Sequence, residues 1–165
     1  MIDYQIGDLF PHAYASVLEG HPTVVAHCCN CFNTMKSGIA PLVAKNFPEA
    51  ESVDKLTTKG DRGKLGTTTE AFSQGILVFN LYGQFGYWKR REGKMDLEYP
   101  ALDSALGQMA ASIHAKCRVN DIRPNEVKVL LPMIGAGLAG GDWNVISQLI
   151  EKNLGKFSVT VFKLK

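Results

Sequence analysis

Apolar positions recur along this chain in two rhythms, every second residue and every third or fourth, and the two alternate. Residues 2–6 alternate as an opening strand that Gly7-Asp8 ends, and Ala13 to Leu18 carries the spacing of a short helix closed by Gly20 and Pro22. Thr23 to Cys29 (TVVAHCC) reads as a buried strand, β-branched at its start. After a polar loop over 30–38, Ile39 to Phe47 has apolar residues at 39, 42, 43 and 47, a helical spacing that Pro48 breaks. Glu49 to Leu56 predicts a second short helix, and the charged, glycine-punctuated stretch Lys59 to Leu65 an exposed turn. Thr67 to Phe72 and Ile76 to Leu81 predict two strands joined through Ser73-Gln74-Gly75. Residues 82–98 predict a long mobile loop. Pro100 opens the longest helix, with Leu102, Leu106, Met109, Ile113 and Cys117 on one face. Phe157 to Leu164 alternates as a closing strand. Strands and helices in turn, with one hairpin, predict a single α/β domain over residues 1–165, its mixed sheet covered by helices on both faces.

One stretch organises the rest. In Lys128 to Ile150 an apolar run, Val129-Leu130-Leu131, leads into a loop crowded by Gly135, Gly137, Gly140 and Gly141. Asp142 then stands as an N-cap before Ile146, Leu149 and Ile150 at helical spacing. A strand, a glycine loop and a helix N-terminus form an anion cradle, because free backbone N–H groups face outward and glycine admits a phosphate. Gly135 to Gly140 matches the dinucleotide fingerprint G-x-G-x-x-G literally. A dinucleotide site also needs an acidic residue roughly 20 positions on, and that window falls on Val159 to Val161. No Lys-Ser/Thr follows the glycines, so the loop is not a Walker loop either.

Composition adds bounds. At 165 residues, 45% hydrophobic and 21% charged, the chain is an ordinary globular protein able to bury its own core. A net charge of +2 gives no reason to expect nucleic acid as primary partner or a membrane surface, and no apolar run approaches a bilayer span. The N-terminus lacks the basic and apolar regions of a signal peptide, and the four cysteines do not form a secreted disulfide pattern. A cytoplasmic, reduced monomer is expected.

The run His27-Cys28-Cys29-Asn30-Cys31 invites chemistry. A cysteine-dependent phosphatase needs an arginine about six residues after its nucleophile, and Thr34 stands there for Cys28. Adjacent strand cysteines point to opposite faces, so zinc is not expected either. The cysteines read as small buried hydrophobes. His27 is either hydrogen-bonded core or a general base, and Asn30 and Asn33 suit hydroxyl or water positioning. Asp8 either caps the next turn or accepts a hydrogen bond from a base amino group. Asp142 is an N-cap and also the one carboxylate within the glycine loop's reach in sequence. Phe85, Tyr87 and Trp88 either stack on a ring or pack on their own domain, and Lys89, Arg90 and Arg91 read as solvated.

Together these pieces resemble the macrodomain family over nearly the whole chain. The resemblance rests on Gly7-Asp8-Leu9-Phe10, His27-Cys28-Cys29-Asn30, Gly38-Ile39-Ala40, and Pro132-Met133-Ile134-Gly135-Ala136-Gly137-Leu138 with Trp143 beyond. The variant is similar to the branch of ADP-ribose 1″-phosphate phosphatases and terminal ADP-ribose glycohydrolase. The resemblance implies a three-layer α/β/α fold, without metal or cofactor, binding ADP-ribose at the strand ends. Asp8 and Leu9 would meet the adenine, with Phe162 or a residue of the 82–98 loop covering it. Cys28, Cys29, Asn30 and Met35, Lys36, Ser37, Gly38, Ile39, Ala40 would surround the distal ribose. Gly135, Ala136, Gly137, Leu138, Ala139, Gly140 and Gly141 would wrap the diphosphate. Three positions depart from the family. No lysine stands where the glycohydrolase nucleophile falls, Ala139 replaces its aspartate, and the first loop's triple glycine is Lys36-Ser37-Gly38. The expected function is hydrolysis of the 1″ substituent of ADP-ribose, a phosphate or an ester, with His27, Asn30 and Asp142 as catalytic candidates. The alternative is a non-catalytic reader of ADP-ribose or of ADP-ribosylated protein.

Overall fold

The two rhythms separate into one sheet and its two helical covers. The computed structural model describes residues 1–164. In chain order the elements are β1 (Asp3–Ile6), α1 (Leu9–Leu18), β2 (Thr23–Cys28), α2 (Ala40–Asn46), α3 (Pro48–Lys55), β3 (Thr68–Ser73), β4 (Ile76–Leu81), α4 (Tyr99–Asn120), β5 (Lys128–Pro132), α5 (Trp143–Leu154) and β6 (Ser158–Lys163). The strands lie in the order β1-β6-β5-β2-β4-β3, and only β3 runs antiparallel, pairing with β4. The sheet is therefore mixed and the fold α/β, as the pattern predicts.

Strand alternation assigns side chains to the layers. In β2, Val24 and Ala26 face the core under α4 and α5, whereas Val25 faces α1, α2 and α3. Because both faces are covered, β2 reads as a continuous apolar run. The predicted face of α4 is the buried one, with Leu102, Leu106 and Met109 wholly enclosed. Each such side chain contributes about 1.5–3 kcal/mol by leaving water.

Helix α1 begins four residues before the predicted start because Asp8 caps it, Oδ1 accepting from the Phe10 amide at 3.1 Å. The cap frees Leu9 and Phe10 to be buried. Pro11 is tolerated in the first turn, where an N–H would have no helical acceptor.

Two loops differ from expectation. The stretch 59–65 is not simply exposed. Lys64 is buried, its Nζ donating to Asn33 Oδ1 at 2.6 Å and Thr57 Oγ1 at 2.8 Å, above the Tyr82 ring. Its long stem lies along apolar surface while the ammonium finds side-chain oxygens. The segment 82–98 is pinned at three places. Gln84 bridges Leu97, the amides of Asp96 and Leu97 both donate to Ala139 O at 3.1 Å, and Phe85 and Trp88 pack edge-on against Phe32.

Candidate functional site

Five parallel strands present their C-terminal ends along one edge, where ligands of open α/β sheets bind. A cavity of about 1020 Å³ runs along that edge. Strand order places its lining. Asp8 after β1 and Phe162 on β6 form one end, residues 132–139 after β5 the middle, and Cys28 to Asn30 after β2 the next step. Gln84 after β4, with Tyr87, Arg90, Arg91 and Asp96, forms the far end. From β1 to β4 is four strand spacings, about 19 Å. The shape suits an elongated ligand.

The glycine loop is an anion cradle by a local route. Among the described residues the amides of Gly137, Leu138 and Ala139 have no acceptor in the protein, and all three residues line the cavity. Three successive free N–H groups form a nest for an anion. The N-terminus of α5 does not join it. Asp142 Oδ1 accepts from the Asn144 amide at 2.9 Å, and Asp142 lies off the cavity wall. Its placement fits the N-cap and takes it out of reach as a catalytic candidate.

The glycines divide by role. A Cβ on Gly137 would meet nothing within 4 Å. A Cβ on Gly141 would lie 2.4 Å from a Leu97 methyl and 2.6 Å from Gly135 O, and one on Gly135 would lie 2.8 Å from Leu97. Gly140 abuts Met95, and neither it nor Gly141 lines the cavity. Met35 is likewise off the wall, buried among Val43, Phe47 and Val25. The ligand contact that the macrodomain resemblance implies for Gly140, Gly141 and Met35 is therefore not what the geometry offers. Lys36, Ser37, Gly38, Ile39 and Ala40 do line the cavity, as do Leu9, Cys28, Cys29, Asn30, Gly135 and Ala136.

His27 is no base for this cavity. It is fully buried and off the cavity lining, with Nε2 2.6 Å from Asn80 Oδ1 and 3.4 Å from the Cys29 sulfur, which stands between it and the wall. Asn80 Nδ2 already donates to Ala50 O and Thr69 Oγ1, so its Oδ1 is an acceptor and His27 Nε2 carries the hydrogen. Burial lowers the His27 pKa to about 4, the Asn80 bond opposing in part, so the ring is neutral. The polar chain continues from Thr69 to the Tyr82 hydroxyl, which donates to Asp54 at 2.7 Å.

Asn30 is on the wall, but its side chain is engaged. Oδ1 accepts from the Phe32 amide at 2.8 Å, and Nδ2 donates to Thr34 Oγ1 at 2.9 Å. Nδ2 also reaches Thr34 O at 3.5 Å, so both ends of the amide are held by the loop. Asn33 lies elsewhere, holding Thr57 and Lys64. Burial pushes the Cys28 thiol up to about 12, Cys31 to about 11 and Cys29 well above the ordinary range, so all three stay protonated. None is a nucleophile as it stands. No group of three or more His, Cys, Asp or Glu side chains among the described residues is placed to hold a metal ion.

Tyr87, expected either to stack on a ring or to pack on its own domain, lies on the far wall, together with Gln84, Arg90, Arg91 and Asp96, which the sequence does not single out for the site. The basic run 89–91 is not simply solvated, since Arg90 and Arg91 line the cavity, and only tertiary pairing of Asp96 with Ala139 brings that carboxylate in. Charged residues on the lining are Lys36, Arg90, Arg91 and Lys163 against Asp8 and Asp96. Four cations against two anions favour a ligand carrying phosphate.

Comparison with known proteins agrees with this geometry. No protein-family model matches the sequence. An uncharacterised 17.5 kDa protein of Enterobacteria phage T4 is 32% identical over 142 residues, covering 83% of each chain. An ADP-ribose 1″-phosphate phosphatase of Debaryomyces hansenii is 28% identical over 173 residues, 92% of this chain and 93% of its own. Among solved structures, a macrodomain protein from Streptomyces coelicolor superposes with a TM-score of 0.67 at 25% identity, covering 98% of both chains. Thermosipho africanus DarTG, solved in complex with ADP-ribose, shares the fold at TM-score 0.62 and 17% identity, over 99% of this chain and 42% of its own. The chain thus has the macrodomain fold along its whole described length and is similar in sequence to ADP-ribose 1″-phosphate phosphatases.

Proposed function

We propose that the protein binds ADP-ribose 1″-phosphate along this edge and hydrolyses it to ADP-ribose and inorganic phosphate. The observation that carries the reading is the amide nest Gly137-Leu138-Ala139 midway between two chemically different ends. At one end Phe162 offers an apolar face beside the Asp8 carboxylate, a pairing suited to a purine with its amino group. At the other, Asn30, Gln84, Arg90 and Arg91 suit a sugar and a terminal phosphate. A diphosphate held at the middle aligns the distal ribose, so binding remote from the reaction contributes to the rate.

Purified protein mixed with ADP-ribose 1″-phosphate is expected to release inorganic phosphate, and calorimetry with ADP-ribose is expected to saturate. Saturation without phosphate release would leave the protein a reader of ADP-ribose or of ADP-ribosylated protein, a reading favoured by the absence of an imidazole from the lining.

The two arginines give a further prediction. Neither Arg90 nor Arg91 has a carboxylate at ion-pair distance among the described residues. Arg90→Ala and Arg91→Ala are each expected to raise KM for the phosphate ester about three- to tenfold, an exposed ion contact being worth about 1 kcal/mol. ADP-ribose affinity should hardly change, and steady-state kinetics at two salt concentrations checks the pair.

A further inference from the structure

Hydrolysis needs a group that takes a proton from water, and the cavity wall offers few. No histidine lines it, and its cysteines, Cys28 and Cys29, are thiols held protonated by burial. Its carboxylates are Asp8 and Asp96. Asp8 sits at the β1 end, its Oδ1 occupied as the cap of α1. Asp96 sits on the wall that carries Arg90 and Arg91, its residue surface only 3% exposed.

The bonding of Asp96 leaves one oxygen for chemistry. Oδ1 accepts from the Lys89 amide at 3.2 Å. Oδ2 has no protein partner among the described residues, and no fully buried side-chain oxygen lacks one, so Oδ2 keeps surface where the residue lines the cavity. Two contacts fix the carboxylate's position. The Asp96 amide donates to Ala139 O at 3.1 Å, joining it to the amide nest, and the Leu97 side chain beside it is locked under Gly135 and Gly141. A nearly buried carboxylate on a rigid support, with one unpartnered oxygen on a residue that lines the cavity, is a built site for a base.

We propose that Asp96 is the general base of the hydrolysis, an assignment that rests on the reading of the cavity as an ADP-ribose 1″-phosphate site. Oδ2 takes a proton from a water. That water's oxygen bonds to phosphorus as the bond from phosphorus to the 1″ oxygen breaks. The departing 1″ oxygen takes a proton from solvent at the cavity mouth, and Asp96 returns its own to solvent. Water and ester thereby become alcohol and phosphate, with no oxidant or further reactant. Arg90 and Arg91, on the same turn as Lys89, lie where the charge of the transferring phosphoryl group develops.

The test is Asp96→Asn, which keeps the shape and an acceptor for the Lys89 amide. Phosphate release from ADP-ribose 1″-phosphate is expected to fall about 100-fold or more, within the range a positioned base contributes. ADP-ribose affinity by calorimetry is expected to stay within about threefold. The acid limb of the wild-type kcat profile should vanish from the residual rate. An undiminished rate overturns the assignment, and so does a rate lost in step with ADP-ribose binding, which would mark a mere loop anchor. If Asp96→Asn does not fold, Asp96→Glu decides: an acid limb displaced in pH supports the assignment and an unmoved one overturns it. Wild-type protein that binds ADP-ribose and releases no phosphate overturns the hydrolase reading itself, and is recognised before any variant is made.

Discussion

Gly141→Ala is expected to lower the melting temperature by roughly 10 °C and to weaken ADP-ribose binding at least tenfold, while Gly137→Ala leaves the melting temperature unchanged. The added methyl at 141 would sit 2.4 Å from Leu97, 2.6 Å from Gly135 O and 2.7 Å from Ile146. Two of these neighbours, Leu97 and Ile146, are core side chains with no room to retreat. Overpacking of this kind costs about 1–3 kcal/mol and sometimes more. The Gly141 amide also donates to Gly135 O at 2.8 Å, and displacing it forfeits about 1 kcal/mol further. Any shift of Gly135 moves the free amides that follow it. At Gly137 nothing lies within 4 Å of the new methyl, so only a ligand can object. Thermal denaturation with calorimetry on both variants checks the contrast. Equal melting of the two would show that Leu97 does not wedge the loop.

The second large effect is in the stability of the fold toward acid. His27 is held neutral, its pKa lowered to about 4 by burial. In the unfolded chain it takes a proton near pH 6.5, so between about pH 6.5 and 4 the unfolded state binds more protons than the folded one. Stability from this group is therefore complete above pH 6.5 and is lost as pH falls, by about 3 kcal/mol at pH 4. Asp54 works in the opposite direction, since burial pushes its carboxyl up and the folded state gains a proton first. The clean readout is the difference between wild type and His27→Gln, a variant able to keep the donor to Asn80. Chemical denaturation at pH 7 and pH 4.5 should show the wild type losing clearly more stability than the variant. Equal losses would mean that His27 is reached by solvent protons in the folded state.

Much of the fold is legible in the sequence because its cause is local. The β-branched run from Thr23 needs only two covered faces, and the heptad-like apolar face of α4 needs only one. Pro48 and Gly155 announce where α2 and α5 stop. The second glycine loop could be recognised as an anion cradle, and three of its amides are indeed unpaired. What could not be read is whatever depends on residues far apart in the chain. Lys64 looks solvated until Asn33, 31 positions away, accepts from it. Gly140 and Gly141, which suggest phosphate contact, abut Met95 and Leu97 instead. His27 and Asn30 look equivalent as polar residues at a strand end, yet His27 is wholly buried against Asn80 behind Cys29 while Asn30 stands on the cavity wall. Asp96 carries no local signal at all, and its place on the wall exists only because its amide meets Ala139.

The three thiols crowded at the end of β2 have a chemical consequence. Burial holds the Cys28 thiol up at about 12, so it is protonated at pH 7. Peroxide, iodoacetamide and disulfide exchange all act on the ionised sulfur. The two sulfurs on the pocket wall are therefore expected to react slowly with thiol reagents, which timed iodoacetamide labelling at pH 7 checks.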